Sequence, residues 1–424
     1  MTSAPSRGPW PRRCLAVCLV AAAAAGCTLS RPEYVSPPVA IGTQDFARAI
    51  EAHTLSSAID GNRIQLLLNG DEIFPAMLAA IRSARRTVTF ANFIYEDGDI
   101  AVKMAEALAE RCRAGVTVHV LLDAVGSGKM PPELRETIKG AGCDLEFYRP
   151  LNPVAIRRFN HRNHRRVLVI DGRVGFTGGI GVGERWTGDG RTEGRWRQTD
   201  VRVEGPVVRS LQAAFAETWR DTTGALLGGE AYFPTLPRRG DLRVQPVVSS
   251  PQHGATEAYM LFLLAIDAAR SSILLTNPYF VPDDGMAMAL ARAARRGVDV
   301  SIITAGPVST TLDRLLRVAS RTHYGQALEV GVKIHEYAPA YLHAKTMVID
   351  GRWVSVGSIN IDNRSFALNS ELNVTVLDRA LAARLTRVFQ RDLELAEPVT
   401  IEDWRRGALR RLFYLPLLPL RDQL

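Results

Sequence analysis

Cysteine is scarce in this chain of 424 residues: there are five, and Cys14, Cys18 and Cys27 all fall within the first 27. Only Cys112 and Cys143 are left for the body, so a disulfide framework is excluded as the source of the fold. An exported location would permit one bridge; the contexts of the pair, a helix end and a strand start, do not say whether they meet, and the expectation is two unpaired core thiols. Histidine is also rare, with eight, and none is spaced as a metal ligand. His161 and His164 stand three apart with no third and fourth ligand near them. His53, His119, His253, His323 and His335 carry no pattern at all. The first apolar run, Cys14 to Ala25, is too short to span a bilayer. With 46% apolar and 23% charged residues the chain is globular rather than disordered.

The N-terminus "MTSAPSRGPWPRRCLAVCLVAAAAAGC" has a basic start, that apolar run and a small-residue end. This is the build of an export signal over residues 1–26. "AAGC" at 24–27 resembles the lipobox of bacterial lipoproteins, with Ala24 where Leu is usual, which makes Cys27 the candidate lipidation site. The alternatives are a signal cleaved without lipidation and an uncleaved anchor. Removing residues 1–26 takes away Arg7, Arg12 and Arg13, leaving 49 basic and 44 acidic residues, net +5. A mild positive excess favours an anionic partner without choosing between lipid head groups and nucleic acid.

The rest of the chain repeats itself. "VTFANFIYEDGDIAVKMAEALAERCRAGVTVHVLLDAVGSG" from 88 parallels "ILLTNPYFVPDDGMAMALARAARRGVDVSIITAGPVS" from 273, and "AGCDLEFYRP" parallels "VGVKIHEYAP". Offsets of 182 (Gly115 to Gly297), 189 (Gly142 to Gly331) and 179 (His164 to His343) are near-constant, as two copies of one unit require. Each copy alternates apolar strands with Ala-rich amphipathic helices, predicting an α/β fold with a mostly parallel sheet covered on both faces. The expected division is a tether and lead-in over 27–60, a first domain over 61–225, a Gly/Pro-rich linker over 226–245, a second domain over 246–400 and a basic-apolar tail over 401–424. The tail "WRRGALRRLFYLPLLPL" suits either an anionic membrane surface or docking on the core.

Two stretches at the repeat offset carry the chemistry. "HRRVLVIDGRVGFTGG" from 164 and "HAKTMVIDGRWVSVGS" from 343 each hold a histidine, a cation two places on, an aspartate five further, and a pair of small residues. Alternation along a strand puts the histidine and cation on one side. The small pairs, Gly178 with Gly179 and Gly357 with Ser358, would leave backbone N–H groups open to a ligand. A histidine, a fixed cation and N–H donors suit a phosphate. Downstream, "QTDVRVEG" from 198 aligns with "NSELNVTV" from 369 and places Asp200 opposite Glu371, acids able to orient a histidine.

These residues resemble the signature of the phospholipase D superfamily, HxKxxxxD followed by GG or GS and then Asn. The likeness covers about 60–400, and "NPYFVP" with the signal and tail is most similar to the bacterial cardiolipin synthase branch. The second copy matches throughout, with His343, Lys345, Asp350, Gly357, Ser358 and Asn360. The first has His164, Asp171, Gly178 and Gly179, but Arg166 replaces Lys and Gly181 replaces Asn.

The resemblance implies two tandem α-β-α sandwich domains about a pseudo-twofold axis with one shared active site. One histidine attacks phosphorus, the other protonates the leaving alcohol, and neither metal nor cofactor takes part. His164 is the nucleophile and His343 the acid/base by analogy, with the reverse open. Arg166, Lys345, Asp171, Asp350, Asp200, Glu371 and Asn360 complete the catalytic set.

The expected activity is phosphatidyl transfer between anionic phospholipids at a membrane surface outside the cytoplasm, with phosphatidylglycerol as the expected donor. A hydrolytic phospholipase D, an exported nuclease and a catalytically weak lipid-binding relative are the alternatives. "RRFNHRNHRR" is not read as a nucleic-acid patch, because the motif accounts for part of it and export removes it from DNA. The insertion "ERWTGDGRTEGRWR" at 184–197 is either a head-group loop or an ordinary exposed one.

Overall fold

A computed structural model describes residues 34–150, 160–251, 256–306 and 311–406. The signal, Cys27 and most of the tail therefore lie outside the described residues. In the first half the main strands are β1 (Ile59–Leu68), β2 (Thr87–Asn92), β3 (Thr117–Asp123), β4 (Asp144–Tyr148), β5 (Val167–Ile170), β6 (Val174–Thr177) and β7 (Thr199–Glu204). In the second half they are β8 (Leu242–Ser249), β9 (Ser272–Thr276), β10 (Asp299–Ala305), β11 (Lys333–Tyr337), β12 (Thr346–Ile349), β13 (Trp353–Gly357) and β14 (Asn369–Leu377). They form one continuous sheet in the order β11-β10-β9-β12-β13-β14-β8-β1-β7-β6-β5-β2-β3-β4. Read outward from the β8–β1 seam, the two sides list equivalent strands in the same order. That palindrome is the pseudo-twofold axis expressed as hydrogen bonds.

The sheet is not mostly parallel. Its flanks, β2-β3-β4 and β9-β10-β11, are parallel, and every ladder from β9 inward through the seam to β2 is antiparallel. In the flanks each strand is joined to its paired neighbour by a helix, the crossover that parallel pairing needs. β5–β6 and β12–β13 are instead tight hairpins turning on Asp171-Gly172 and Asp350-Gly351, all four at positive φ, the residue pair such turns prefer.

Helices cover both faces. On one face of the first half lie α2 (Asn69–Ser83) and α3 (Asp99–Arg113), whose apolar residues Ile100, Met104, Ala105 and Leu108 recur on one stripe and are buried. In the second half, α6 (Glu257–Ala268) and α7 (Asp284–Arg295) take the equivalent place. Across the other face the closing helices α5 (Val208–Thr223) and α9 (Arg379–Leu393) bury Leu211, Phe215, Leu381 and Leu385 in one core shared by both halves. Each such side chain is worth about 2 kcal/mol of burial.

Three features differ from expectation. The lead-in contains α1 (Gln44–Thr54), whose Phe46 and Ile50, one turn apart, dock in the core of the second half. Cys112 and Cys143 are not free thiols: one ends α3, the other precedes β4, and they meet in a disulfide with Cα atoms 5.6 Å apart. The linker lies against the first half, where the Tyr232 hydroxyl bonds His119 Nε2 at 2.7 Å, and β8 begins at Leu242 within its expected span. The tail starts as a short helix, Ile401–Arg406, docked by Trp404, whose Nε1 donates to the Arg321 carbonyl at 2.7 Å. Among the described residues no helix is long and apolar enough to cross a membrane.

Candidate active site

Two short arms carry the histidines across the axis. Just before β5, Arg162–Asn163 leaves its own half and pairs in parallel with Asn369 and Ser370 at the start of β14. Reciprocally, Tyr341–Leu342, just before β12, pairs with Trp196 and Arg197 ahead of β7. The first arm is held by buried Asp123, which accepts the Asn163 N–H at 3.0 Å and faces Arg162. The second is held by Arg197, which grips Asp392 of α9 at 2.9 Å. Each histidine thus sits in the other half's strand ends. His164 N–H donates to the Ser370 carbonyl at 3.0 Å and His343 N–H to the Arg197 carbonyl at 2.8 Å.

The acid partner of each histidine also comes from the opposite half. His164 Nδ1 donates to Glu371 Oε1 at 2.8 Å. Glu371 is fully buried and also accepts from the hydroxyls of Ser358 and Ser365. Each hydroxyl accepts a backbone N–H, from Leu372 and Asn360 respectively, and so must donate to the carboxylate. Burial pushes the Glu371 carboxyl up to about 7, against those hydroxyls and the Arg166 charge. With Glu371 ionised, Nδ1 is the donor and Nε2 of His164 keeps its lone pair. Burial, then the Arg166 and Lys345 charges, hold His164 well below the ordinary histidine range, so it is neutral at neutral pH.

His343 is placed differently. Its Nδ1 faces Gln198 Oε1 at 3.3 Å, and Gln198 Nε2 in turn donates to Asp200 Oδ1 at 2.7 Å. Asp200 is buried, its carboxyl raised by desolvation. Lys345 Nζ lies 3.2 Å from His343 Nε2 and donates to the His343 carbonyl at 2.7 Å. Burial, Lys345, Arg166 and His164 together hold His343 well below its ordinary value.

The two cations are buried beside both histidines. Arg166 Nη1 donates to the His164 carbonyl at 2.5 Å, as Lys345 does to that of His343. The Arg166 guanidinium lies over Phe93 at 5.5 Å, and Phe93 packs edge-on against the His164 ring at 5.0 Å. Burial brings Arg166 down to about 10, and burial with the Arg166 charge holds Lys345 well below the lysine range. Charges desolvated this far bind an anion strongly.

Several sequence assignments change here. Asp171 and Asp350 do not touch the histidines. They lie beyond β5 and β12, at the ends away from the site, where their carboxylates collect the backbone N–H groups of residues 85–87 and 270–272. They lock the motif hairpin to the strand beside it. The small pairs do not open N–H donors to a ligand either. A side chain at Gly178 would start 2.1 Å from the Asp200 carboxyl carbon, and one at Gly357 would start 2.0 Å from Asn373 Oδ1. Gly179 N–H is taken by Asp200, and Ser358 N–H by the Leu372 carbonyl. These positions are small so that the orienting groups can approach. Asn360, on the site side of Ser358, has a buried Oδ1 with no partner among the described residues.

The insertion at 184–197 is neither exposed nor peripheral at its tryptophans. Trp186 is buried, with its ring 6.1 Å from that of His343, and Trp196 lies 5.0 Å from it. The Trp186 indole fills the space at Gly181, where a Cβ would meet it at 2.7 Å. Arg185 covers both rings. The missing Asn of the first motif is therefore replaced by an aromatic wall. Gln198, Phe93 and Ser365 were not singled out from sequence. Only Gln198 left a signal, since it aligns with Asn369, another amide two residues before the acid.

A family model described as "Cardiolipin synthase, PLD-like domain" matches residues 262–393. Cardiolipin synthase of Geobacillus kaustophilus (strain HTA426) is 33% identical over 368 residues, 86% of this chain and 72% of that protein. Cardiolipin synthase A of Pseudomonas entomophila (strain L48) is 35% identical over 346 residues, 81% of this chain and 71% of its own length. The crystal structure of phosphatidylserine synthase from Haemophilus influenzae Rd KW20 shares the fold at a TM-score of 0.64, with 13% identity over 90% of this chain and 100% of that one.

Proposed function

The chain belongs to the cardiolipin synthase family of the phospholipase D superfamily, and we propose that it transfers a phosphatidyl group from one phosphatidylglycerol to another through a phosphohistidine. As a member it is a phosphatidyltransferase acting on phospholipids. The observation that carries the finer reading is the crossed pair: two buried neutral histidines, each set by groups of the opposite half, with the basic side chains of Arg166 and Lys345 buried beside them.

In this reading His164 Nε2 attacks the phosphorus of a bound phosphodiester and the bond to the head-group glycerol breaks. Arg166 and Lys345 neutralise the phosphoryl oxygens. Entry of that negative charge between the cations lets His343 take up a proton, which it gives to the departing glycerol oxygen. His343 then removes the proton from a hydroxyl of the second phosphatidylglycerol, whose oxygen attacks phosphorus and frees His164. Cardiolipin and glycerol leave in equal amounts. Splitting one displacement into two lowers each barrier, proton transfer contributes about 10²- to 10⁴-fold, and each fixed donor about 3 to 4 kcal/mol. The net +5 of the chain beyond residue 26 and the lipobox-like "AAGC" support work at an anionic membrane outside the cytoplasm.

The test is purified protein with vesicles of head-group-labelled phosphatidylglycerol. Equal cardiolipin and glycerol are expected, and both products vanish in His164→Ala and in His343→Ala. Phosphatidic acid as the main product would replace transfer with hydrolysis, and survival of either alanine variant would overturn the shared site.

A further inference from the structure

The two half-sites share a backbone plan but differ in register at the point where each histidine meets its acid. His164 N–H bonds the carbonyl of Ser370, one residue before Glu371, whereas His343 N–H bonds that of Arg197, three residues before Asp200. Two extra residues, Gln198 and Thr199, therefore separate the arm contact from the acid in the first half. A slip of two keeps every side chain on its face but moves the carboxylate one strand repeat away. Asp200 is also one methylene shorter than Glu371. Both effects take the acid out of reach of His343, and the Gln198 side chain fills the gap.

Gln198 is held firmly in that gap. It is buried, its backbone N–H donates to Asn69 Oδ1 at 3.0 Å, and its carbonyl accepts from Asn69 N–H at 3.0 Å and from the Arg197 guanidinium. Its Nε2 donates to Asp200 Oδ1 at 2.7 Å and to the Thr199 carbonyl at 3.2 Å, which leaves Oε1 to face His343 Nδ1. On the far side of the ring Lys345 Nζ lies 3.2 Å from Nε2. An amide oxygen can only accept, so the neutral tautomer that bonds it carries its proton on Nδ1 and leaves Nε2 free to accept from Lys345.

We propose that Gln198 is a positioning residue for His343: its amide passes the orienting effect of Asp200 across the two-residue slip and fixes His343 as the Nδ1–H tautomer. His164 has a carboxylate directly on Nδ1, whereas His343 has a neutral relay. An imidazolium on His343 gains no adjacent negative charge and releases its proton readily, as the group that must give and retake a proton requires. The carboxylate on His164 favours attack and stabilises the phosphorylated ring. This division of roles rests on the phosphohistidine reading, but the tautomer does not.

Histidine-selective ¹⁵N labelling of the full-length protein, with the His343 signals identified by their absence in His343→Ala, reads the tautomer directly. The wild type is expected to show Nδ1 as N–H and Nε2 as the unprotonated nitrogen. In Gln198→Met, which keeps the length and removes the amide, His343 moves toward the Nε2–H form. The kcat for phosphatidylglycerol falls roughly 10- to 100-fold with KM near wild type, as for other partners that act through the far nitrogen of a histidine. An Nε2–H His343 in the wild type overturns the proposal. So does a Gln198→Met protein with unchanged His343 signals and wild-type kcat. Should the wild type turn over no lipid, the resonances still decide the relay while the transferase reading fails separately.

Discussion

Glu371 is costly to ionise in the folded protein, and the cost is measurable. It is fully buried, and its carboxyl is pushed from an ordinary 4.5 up to about 7. The folded protein therefore holds this proton more tightly than the unfolded chain does. Its contribution to stability is complete below about pH 4.5, declines as pH rises, and is gone above about pH 7. At about 1.4 kcal/mol per pH unit, the ionised form costs the fold about 3 kcal/mol. Glu371→Gln removes the titration. Mismatched hydrogen bonds to Ser358 and Ser365 displace the variant's whole stability curve but not its slope. The measurement is urea unfolding of both proteins between about pH 4.5 and about pH 8. The variant should gain about 3 kcal/mol on the wild type across that window, while its turnover falls at least about 10²-fold for want of a carboxylate on His164. In the wild type, turnover should rise with pH as Glu371 ionises near 7. A stability difference that stays flat with pH would refute the reasoning, because Glu371 would then be no more costly buried than exposed.

Three other outcomes follow from the packing. Arg166→Lys should keep turnover within about tenfold of wild type, since one cation still reaches the phosphate, and Arg166→Ala should lose about 10²- to 10³-fold, both read in the vesicle assay. Gly181→Asn, which restores the motif on paper, should lower both activity and stability by about 1 to 3 kcal/mol, because the new Cβ starts 2.7 Å from Trp186. A gain of activity would refute the view of Trp186 as its substitute. Cys143→Ser should lower the unfolding free energy by about 3 to 4 kcal/mol, the chain-entropy value for a disulfide closing a separation of 31 residues, and reductant should add nothing further in that variant.

Much of this architecture was legible because duplication leaves a periodic record. The offsets near 180 foretold equivalent halves, and the sheet order repeats outward from β8–β1 as that requires. Composition could not reveal the antiparallel centre, because an apolar run reads alike in either direction. The direction was set by Asp-Gly turns, present in both motifs and overlooked beside their neighbouring histidines. The same Asp residues stand in the motif beside the histidines, but their work is to bind strand-end N–H groups. Side-chain alternation tells which face a residue occupies, not which strand end crosses the axis, so the exchange of acids between halves stayed hidden. Cys112 and Cys143 sit in one half yet 31 residues apart, and only the packing of α3 beside β4 brings them together.

A shared site also explains why the copies were free to diverge. In the proposed reaction one phosphorus lies between the two histidines, so only one nitrogen needs to attack and only the other needs to trade protons. A carboxylate on both would also stabilise the imidazolium of His343 and slow the release of its proton, in a pocket where Arg166 and Lys345 already oppose the cationic form. Placing Glu371 directly on His164 and only Gln198 on His343 breaks that tie without changing either histidine. The same half that carries Gln198 carries Arg166, Gly181 and Trp186. Its departures from the motif cluster around the reacting centre while the hairpins, the acids and the crossed arms remain, as expected of a half-site specialised for one role rather than decayed.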